Sequence, residues 1–566
     1  MDIPWTARTQ PALRLRSRVS PYALVAGSVI FLAFVTQAFN MFAFPSYFQD
    51  EGTYQSQAWA LWAKGELAPY TYWYDHPPAG WIFSGLWMEL TGGFHTFGSS
   101  LDTGRVFILL LHVASVYMLF WITRRITGST TAGVVAALLF MLSPFRLLEG
   151  RRLMLEPIAI FWMLCAIVPL LSERSKLTSY WLSAIFFGLA VLTKEVFVVF
   201  TPGMILLAWL RADPAHRGIA MTHWSALCAS LVSFYPVYAV LKGELFPTGW
   251  PLAAGGEHVS LIGTMKFHMA EREQDAGIID LHSRFWDRPF HYWLDLDPFL
   301  TVATAFAIVA ALLLGFKYRP LWPMAIFIGL FVLFLGRGGV VFEFYALPLV
   351  PLVSLVVAVA LREIVVSLAA LVPRRQLKDS MPATRTFGSK LLHGALALLL
   401  TVGLAVPVVV ATMHADSYKR WYDAIYTSDN TWPQHQAVDW IKKNAPSGSL
   451  VVMDAHALLE VPGFEGNSPR EADQALTVHW YWKVERDPEI RDRILHRDWR
   501  RVDYMVVAPN MEVEAGSGII PFVAEIMSHG KTVAYFERDG YWMKILRIVH
   551  RSSTQSDLAM NGGAWP

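Results

Sequence analysis

Asp50 and Glu51 stand side by side at the end of the first apolar run, in Phe48-Gln-Asp-Glu-Gly. Carboxylates at the exit of a membrane segment are costly unless they face water, a metal or a polar substrate. A carboxylate so placed suits a general base that takes a proton from an acceptor hydroxyl. It also suits a ligand for a divalent metal, and the pattern is compatible with such an ion at Asp50 and Glu51 without requiring one. The same stretch ends at Asp75-His76-Pro77-Pro78, just before the chain turns apolar again. His76 is a candidate substrate contact, its charge depending on pH near neutrality. The two prolines fix the backbone into a rigid corner. Lys194 and Arg337 fall at the ends of apolar runs and offer fixed cations. Arginine grips a phosphate with two N–H groups, and lysine acts as a point charge. Tyr345 suits an aromatic wall. Arg152 and Glu156 read equally well as substrate contacts or as a salt-bridge network.

The elements that must position these groups are membrane helices. The chain has 566 residues, 54% hydrophobic and 16% charged, against about 25% charged in soluble domains. A net charge of +2 and the lack of a basic stripe argue against a nucleic-acid partner. Cys165 and Cys228 lie in apolar runs and read as buried thiols. We expect about eleven spans, near 21–44, 106–123, 132–145, 153–171, 180–192, 196–210, 223–241, 299–316, 321–335, 341–361 and 391–412. The short pair around Thr193-Lys194-Glu195 predicts a break that dips below the outer membrane surface. Arg8, Arg14, Arg16 and Arg18 precede the first span. Arg124-Arg125, Arg211 with Arg217, and Arg374, Arg375, Lys378 and Arg385 follow alternate later ones. Lys/Arg-rich loops mark the cytoplasmic side. The N-terminus is therefore expected in the cytoplasm, and the first loop, 45–104, outside. A second outer loop, 242–297, contains His268, Asp275, His282 and His291 but no zinc-ligand spacing.

After residue 412 the pattern changes. Gln434–Asn444 reads as an amphipathic helix. Leu450–Met453, Tyr504–Ala508, Thr532–Phe536 and Tyr541–Val549 read as strands. We expect a transmembrane domain over 1–412 and a small extracytoplasmic α/β domain over 413–566. His456 and His479 are read as surface residues, and the tail from Ser552 as disordered.

Five features together resemble the GT-C superfamily of polyprenyl-phosphate-sugar-dependent membrane glycosyltransferases, of the protein O-mannosyltransferase and lipid A aminoarabinose transferase type. They are Asp50-Glu51, Tyr74-Asp75-His76-Pro77-Pro78, Arg151-Arg152-Leu-Met-Leu-Glu156, Leu192-Thr193-Lys194, and Arg337 followed by Phe344-Tyr345-Ala-Leu-Pro348. The resemblance implies a multi-span α-helical fold and an inverting transfer from a polyprenyl monophosphate sugar. The acceptor would be a lipid, glycan or protein outside the cytoplasm. It makes Asp50, with Glu51, catalytic. Lys194, Arg337 and His76 would lie on the donor phosphate, with Asp75, Tyr345, Arg152 and Glu156 near the substrate. The chain departs from the aminoarabinose type in having His76 where those enzymes carry Lys. A lipid or sugar transporter is the alternative. It predicts charges buried along mid-membrane helices and two matching halves, whereas here charge gathers at outer helix ends.

Overall fold

The computed structural model describes residues 20–172, 176–249, 259–271, 275–371, 387–461 and 476–549. The N-terminal arginines, the basic residues 374–385 and the tail from 552 lie outside them. The chain is a helical membrane protein. Five helical stretches are long and apolar enough to cross a bilayer: Pro21–Ala38, Ser100–Thr127, Arg217–Leu241, Glu343–Leu371 and Leu391–Met413. Five shorter apolar helices accompany them: Thr130–Leu142, Leu155–Leu170, Leu177–Thr193, Pro298–Leu314 and Leu321–Leu335. We label the elements around the site α1 (Pro21–Ala38), α2 (Gln49–Lys64), α3 (Ala79–Thr91), α4 (Ser100–Thr127), α5 (Thr130–Leu142), α6 (Pro144–Glu149), α7 (Leu155–Leu170) and α8 (Leu177–Thr193).

The expected loop after the first span is largely helical. Asp50 and Glu51 occupy the first turn of α2, where the helix dipole favours anions. Gly65 closes that helix with φ +73°, a left-handed turn suited to glycine. The break at Lys194 is present. α8 ends at Thr193, Lys194 is extended, and a 3-10 turn over Glu195–Phe200 leads into the helix Thr201–Arg211.

The C-terminal segment forms one sheet of β1 (Leu450–Met453), β2 (Thr477–Trp480), β3 (Tyr504–Val507), β4 (Gly530–Arg538) and β5 (Tyr541–Ile548), in the order β2-β1-β3-β5-β4. β1 runs parallel to β2 and β3, and β5 pairs antiparallel with β3 and β4. Its core is continuous with the first loop. Trp59 and Ala60 of α2 pack in one apolar cluster with Val438, Met453, Ala455 and Leu458.

Candidate active site

Three faces of α2 meet three different partners, because successive helical residues point about 100° apart. Gln49 and Gly52 face the C-terminal sheet. The Tyr481 hydroxyl donates to Gln49 Oε1 at 2.9 Å and, in alternative use, reaches Glu514 Oε2 at 2.8 Å. Gly52 lies so close to the 3-10 turn Ala455–Glu460 that an added Cβ would sit 2.1 Å from the Ala455 carbonyl oxygen. Backbone meets backbone there, so no side chain can swing aside. Gly52→Ala is expected to cost about 1–3 kcal/mol through overpacking. The checks are a lowered thermal midpoint and a loss of turnover, with Gly516→Ala, where an added Cβ meets nothing within 4 Å, as the control on glycine itself.

Glu51 faces the helix bundle. Its two oxygens take Arg105 Nε at 3.1 Å and Nη2 at 3.0 Å, together with the backbone N–H groups of Leu153 and Phe48, both at 2.9 Å. Both partners are fully buried. The sequence expectation of Glu51 as a second catalytic or metal-binding carboxylate does not match this geometry. Its lone pairs are spent on an arginine and two amides, so Glu51 is an anchor that sets the pose of α2. Among the described residues, no group of three or more His, Cys, Asp or Glu is arranged to hold a metal ion.

Asp50 takes the third face. It is partly exposed, and among the described residues nothing donates a hydrogen bond or ion pair to it. Burial pushes its carboxyl up to about 6, against the pull of Lys194 and His76. Beside it lies a chain of charges drawn from three separate stretches. Glu195 Oε2 is 2.9 Å from His76 Nδ1, His76 Nε2 is 3.1 Å from Lys194 Nζ, and Lys194 Nζ is 3.0 Å from Glu156 Oε1. The Lys194–Glu156 contact has the distance of an ion pair but not the angles of a hydrogen bond, leaving both Glu156 oxygens without a hydrogen-bond donor. Lys194 also sits 5.4 Å from the centre of the Tyr345 ring. Tyr54, one turn on from Asp50, stacks on Trp81 and approaches His76.

The structure thus brings Asp50, His76, Glu156, Lys194 and Tyr345 together. Lys194, at the break between the two short apolar runs, is 1% exposed. Asp75 points the other way, to His268 Nε2 at 3.3 Å. Arg337 is exposed and folds back on its own helix end, donating to the Phe334 carbonyl at 2.9 Å with its guanidinium 4.1 Å from the Phe334 ring centre. Among the described residues it makes no hydrogen bond or ion pair with the cluster. Arg152 pairs with Glu149 at 2.7 Å and lies over the Phe48 ring.

Sequence reasoning missed Arg105, which it placed just outside a span, and Glu195, seen only as part of a junction. A lone arginine at the outer end of an apolar run was the available signal for the first. His456 and His479 were expected at the surface, but both are 4% exposed. They ride on the turn after β1 and on β2, and β2 had not been recognised as a strand. Lys483, also unremarked, fastens the first loop to the sheet. Its ammonium donates to the Thr71 carbonyl at 2.7 Å and lies 3.7 Å from the Trp73 ring centre. Burial lowers that ammonium to about 8, with Asp487 and Asp75 pulling it back up.

Comparison with known proteins adds kinship to this geometry. Residues 75–241 match the family model for dolichyl-phosphate-mannose-protein mannosyltransferase. A stretch of 217 residues is 28% identical to the undecaprenyl phosphate-alpha-4-amino-4-deoxy-L-arabinose arabinosyl transferase of Edwardsiella ictaluri. That alignment covers 36% of this chain and 35% of that protein, so the chain matches about a third of the curated relative's length. ArnT from Cupriavidus metallidurans, solved bound to undecaprenyl phosphate, superposes with a TM-score of 0.50 at 13% identity, over 93% of this chain and 97% of that one. The Archaeoglobus fulgidus oligosaccharyltransferase does so with 0.50 at 12% identity, over 91% and 74%. At these identities the two structures speak for the fold.

Proposed function

We propose that this chain, a GT-C superfamily glycosyltransferase by kinship, performs an inverting transfer from a polyprenyl monophosphate sugar to an acceptor hydroxyl outside the cytoplasm. The arginines before the first span put the N-terminus in the cytoplasm, and eleven crossing segments, counting the helix Thr201–Arg211, would put the two ends of the chain on opposite sides. The sheet-bearing domain, 413–566, would then lie outside together with α2.

The observation that carries the reading is the placement of Asp50: an unengaged carboxylate beside a buried, charge-paired lysine and a histidine. In the proposed step Asp50 accepts the proton of the acceptor hydroxyl. The freed oxygen bonds to the anomeric carbon from the face opposite the phosphate. The bond from that carbon to the phosphate oxygen breaks, and its electron pair leaves on the lipid phosphate. Lys194 and His76 stabilise the charge that develops there. To do so the phosphate must share Lys194 with Glu156. The ammonium carries three N–H donors, so it can meet the phosphate while it stays paired with Glu156. Kinship supports the donor class, since the related ArnT structure holds undecaprenyl phosphate.

Lys194→Met tests the phosphate contact. Loss of one charged hydrogen bond, worth about 1.5–3 kcal/mol, predicts roughly 10- to 100-fold weaker binding of polyprenyl phosphate. Because the single change strands Glu156, the Lys194→Met/Glu156→Gln pair is measured beside it. Weak binding in both supports the contact, and recovery to wild-type affinity in the pair removes it.

A further inference from the structure

Phe48, the residue just before α2, stands between two regions. Its ring meets Phe344 on the Lys194–Tyr345 side at 5.8 Å, and the Arg152 guanidinium lies 5.2 Å from its centre. Arg152 belongs to a separate cleft of about 320 Å³, which none of the assigned residues other than Arg152 lines. That volume is at the lower end of small-ligand sites, ~300–1,000 Å³.

The walls come from stretches far apart in sequence. Arg152 follows α6, Tyr292 comes from the helix His291–Leu296, Arg420 and Trp421 from the helix Ala415–Thr427, and Asp539 from the β4–β5 turn. Asn430 is also among the lining residues. The Tyr292 and Trp421 rings meet edge to face, 6.2 Å apart. Both guanidinium groups are held in place. Arg152 is fixed by Glu149 at 2.7 Å, and Arg420 by Asp295 at 2.6 Å to each oxygen. Arg152 Nε and Asn430 Oδ1 are buried without a hydrogen-bond partner.

The charge balance selects the ligand. Each arginine already has its own carboxylate, and Asp539 adds a further negative group. An anion entering this cleft would gain no net attraction. A neutral polyhydroxylated ring fits better. Its C–H face packs on aromatic rings, and its hydroxyls both donate and accept, matching the fixed guanidinium, amide and carboxylate edges.

We infer that this cleft is a subsite for a neutral sugar residue of the acceptor, which makes the acceptor a glycan. The inference rests on the transferase reading above for the word acceptor, but sugar binding can be measured without turnover.

The test is saturation-transfer NMR on the full-length protein in detergent, with methyl α-mannopyranoside, methyl α-arabinofuranoside and methyl N-acetylglucosaminide as probes. Wild type is expected to transfer saturation to at least one of them. Trp421→Ala is expected to reduce that transfer at least ~10-fold, while Lys194→Met retains it. Asn430→Ala, at a partly exposed position, serves if the tryptophan variant does not fold. Three results overturn the inference: no transfer to any sugar, transfer unchanged in both cleft variants, or competition by inorganic phosphate or a phospholipid headgroup in preference to the sugars. Sugar binding of the expected kind with no turnover of any lipid donor would sink the transferase reading and leave the subsite standing.

Discussion

Asp50→Asn is expected to lower turnover by about 10²- to 10⁴-fold, the usual contribution of a positioned general base, while leaving the affinity for polyprenyl phosphate within a few-fold of wild type. Asparagine keeps the shape and the polar edge but cannot take the proton. The pH profile should follow the same carboxyl. A base must be ionised to act, and burial holds Asp50 up to about 6. Turnover should therefore rise through pH 6 and level off above it. A profile flat down to pH 5 would contradict the assignment. Stability should move the other way. A carboxyl whose pKa is raised on folding binds its proton more tightly in the folded state. Its ionisation therefore costs stability as pH climbs from the ordinary range near 4 through 6. Above that range the neutral Asp50→Asn variant should be at least as heat-stable as wild type. An inactive but stable variant separates a chemical role from a structural one.

Arg105→Met is expected to destabilise the protein by about 3–5 kcal/mol, the cost of stranding a fully buried partner charge. Arg105 does more than pair with Glu51. Its Nη1 donates to the Met41 and Pro45 carbonyls, each at 2.9 Å, and its guanidinium lies 4.5 Å from the Tyr47 ring centre. One side chain from α4 thereby ties down the stretch after α1 and the first turn of α2. Without it Glu51 keeps only the N–H groups of Phe48 and Leu153. Adding Glu51→Gln removes the stranded charge and should recover part of the loss, with a coupling of roughly 0.5–3 kcal/mol. The readout is the fraction of folded protein surviving a heat challenge in detergent. Additive losses in the double variant would show that the two residues do not act as a pair.

How far the sequence reveals this site depends on where its residues fall. Asp50, Glu156 and Lys194 lie near the ends of apolar runs and His76 closes the first loop, and the structure brings the four together. The break at Lys194 was legible because two apolar runs, each short for a bilayer, meet at it. The helix that carries Asp50 was not. Its residues, QDEGTYQSQAWALWAK, are mostly polar on average, and its apolar positions face a sheet formed some 400 residues later. Glu51 looked equivalent to Asp50 because adjacency in sequence hides the turn between helical neighbours. Arg337 looked like a phosphate ligand by position alone. In the structure it donates to the Phe334 carbonyl and lies over the Phe334 ring, a pairing that composition does not encode. His479 looked like a surface residue because nothing marked β2, a four-residue strand, and His456 because the turn after β1 is buried only by elements distant in sequence.

The most direct test of the central claim is release of free polyprenyl phosphate by purified wild type in liposomes. Each of a panel of polyprenyl-phosphate sugars is supplied in turn, with glycan acceptors on the side of the C-terminal sheet. The account predicts release with at least one donor, in step with sugar appearing on the acceptor with inverted anomeric configuration. Donors that bind but are carried across the bilayer intact, with no phosphate released from any of them, would contradict it and favour a transporter.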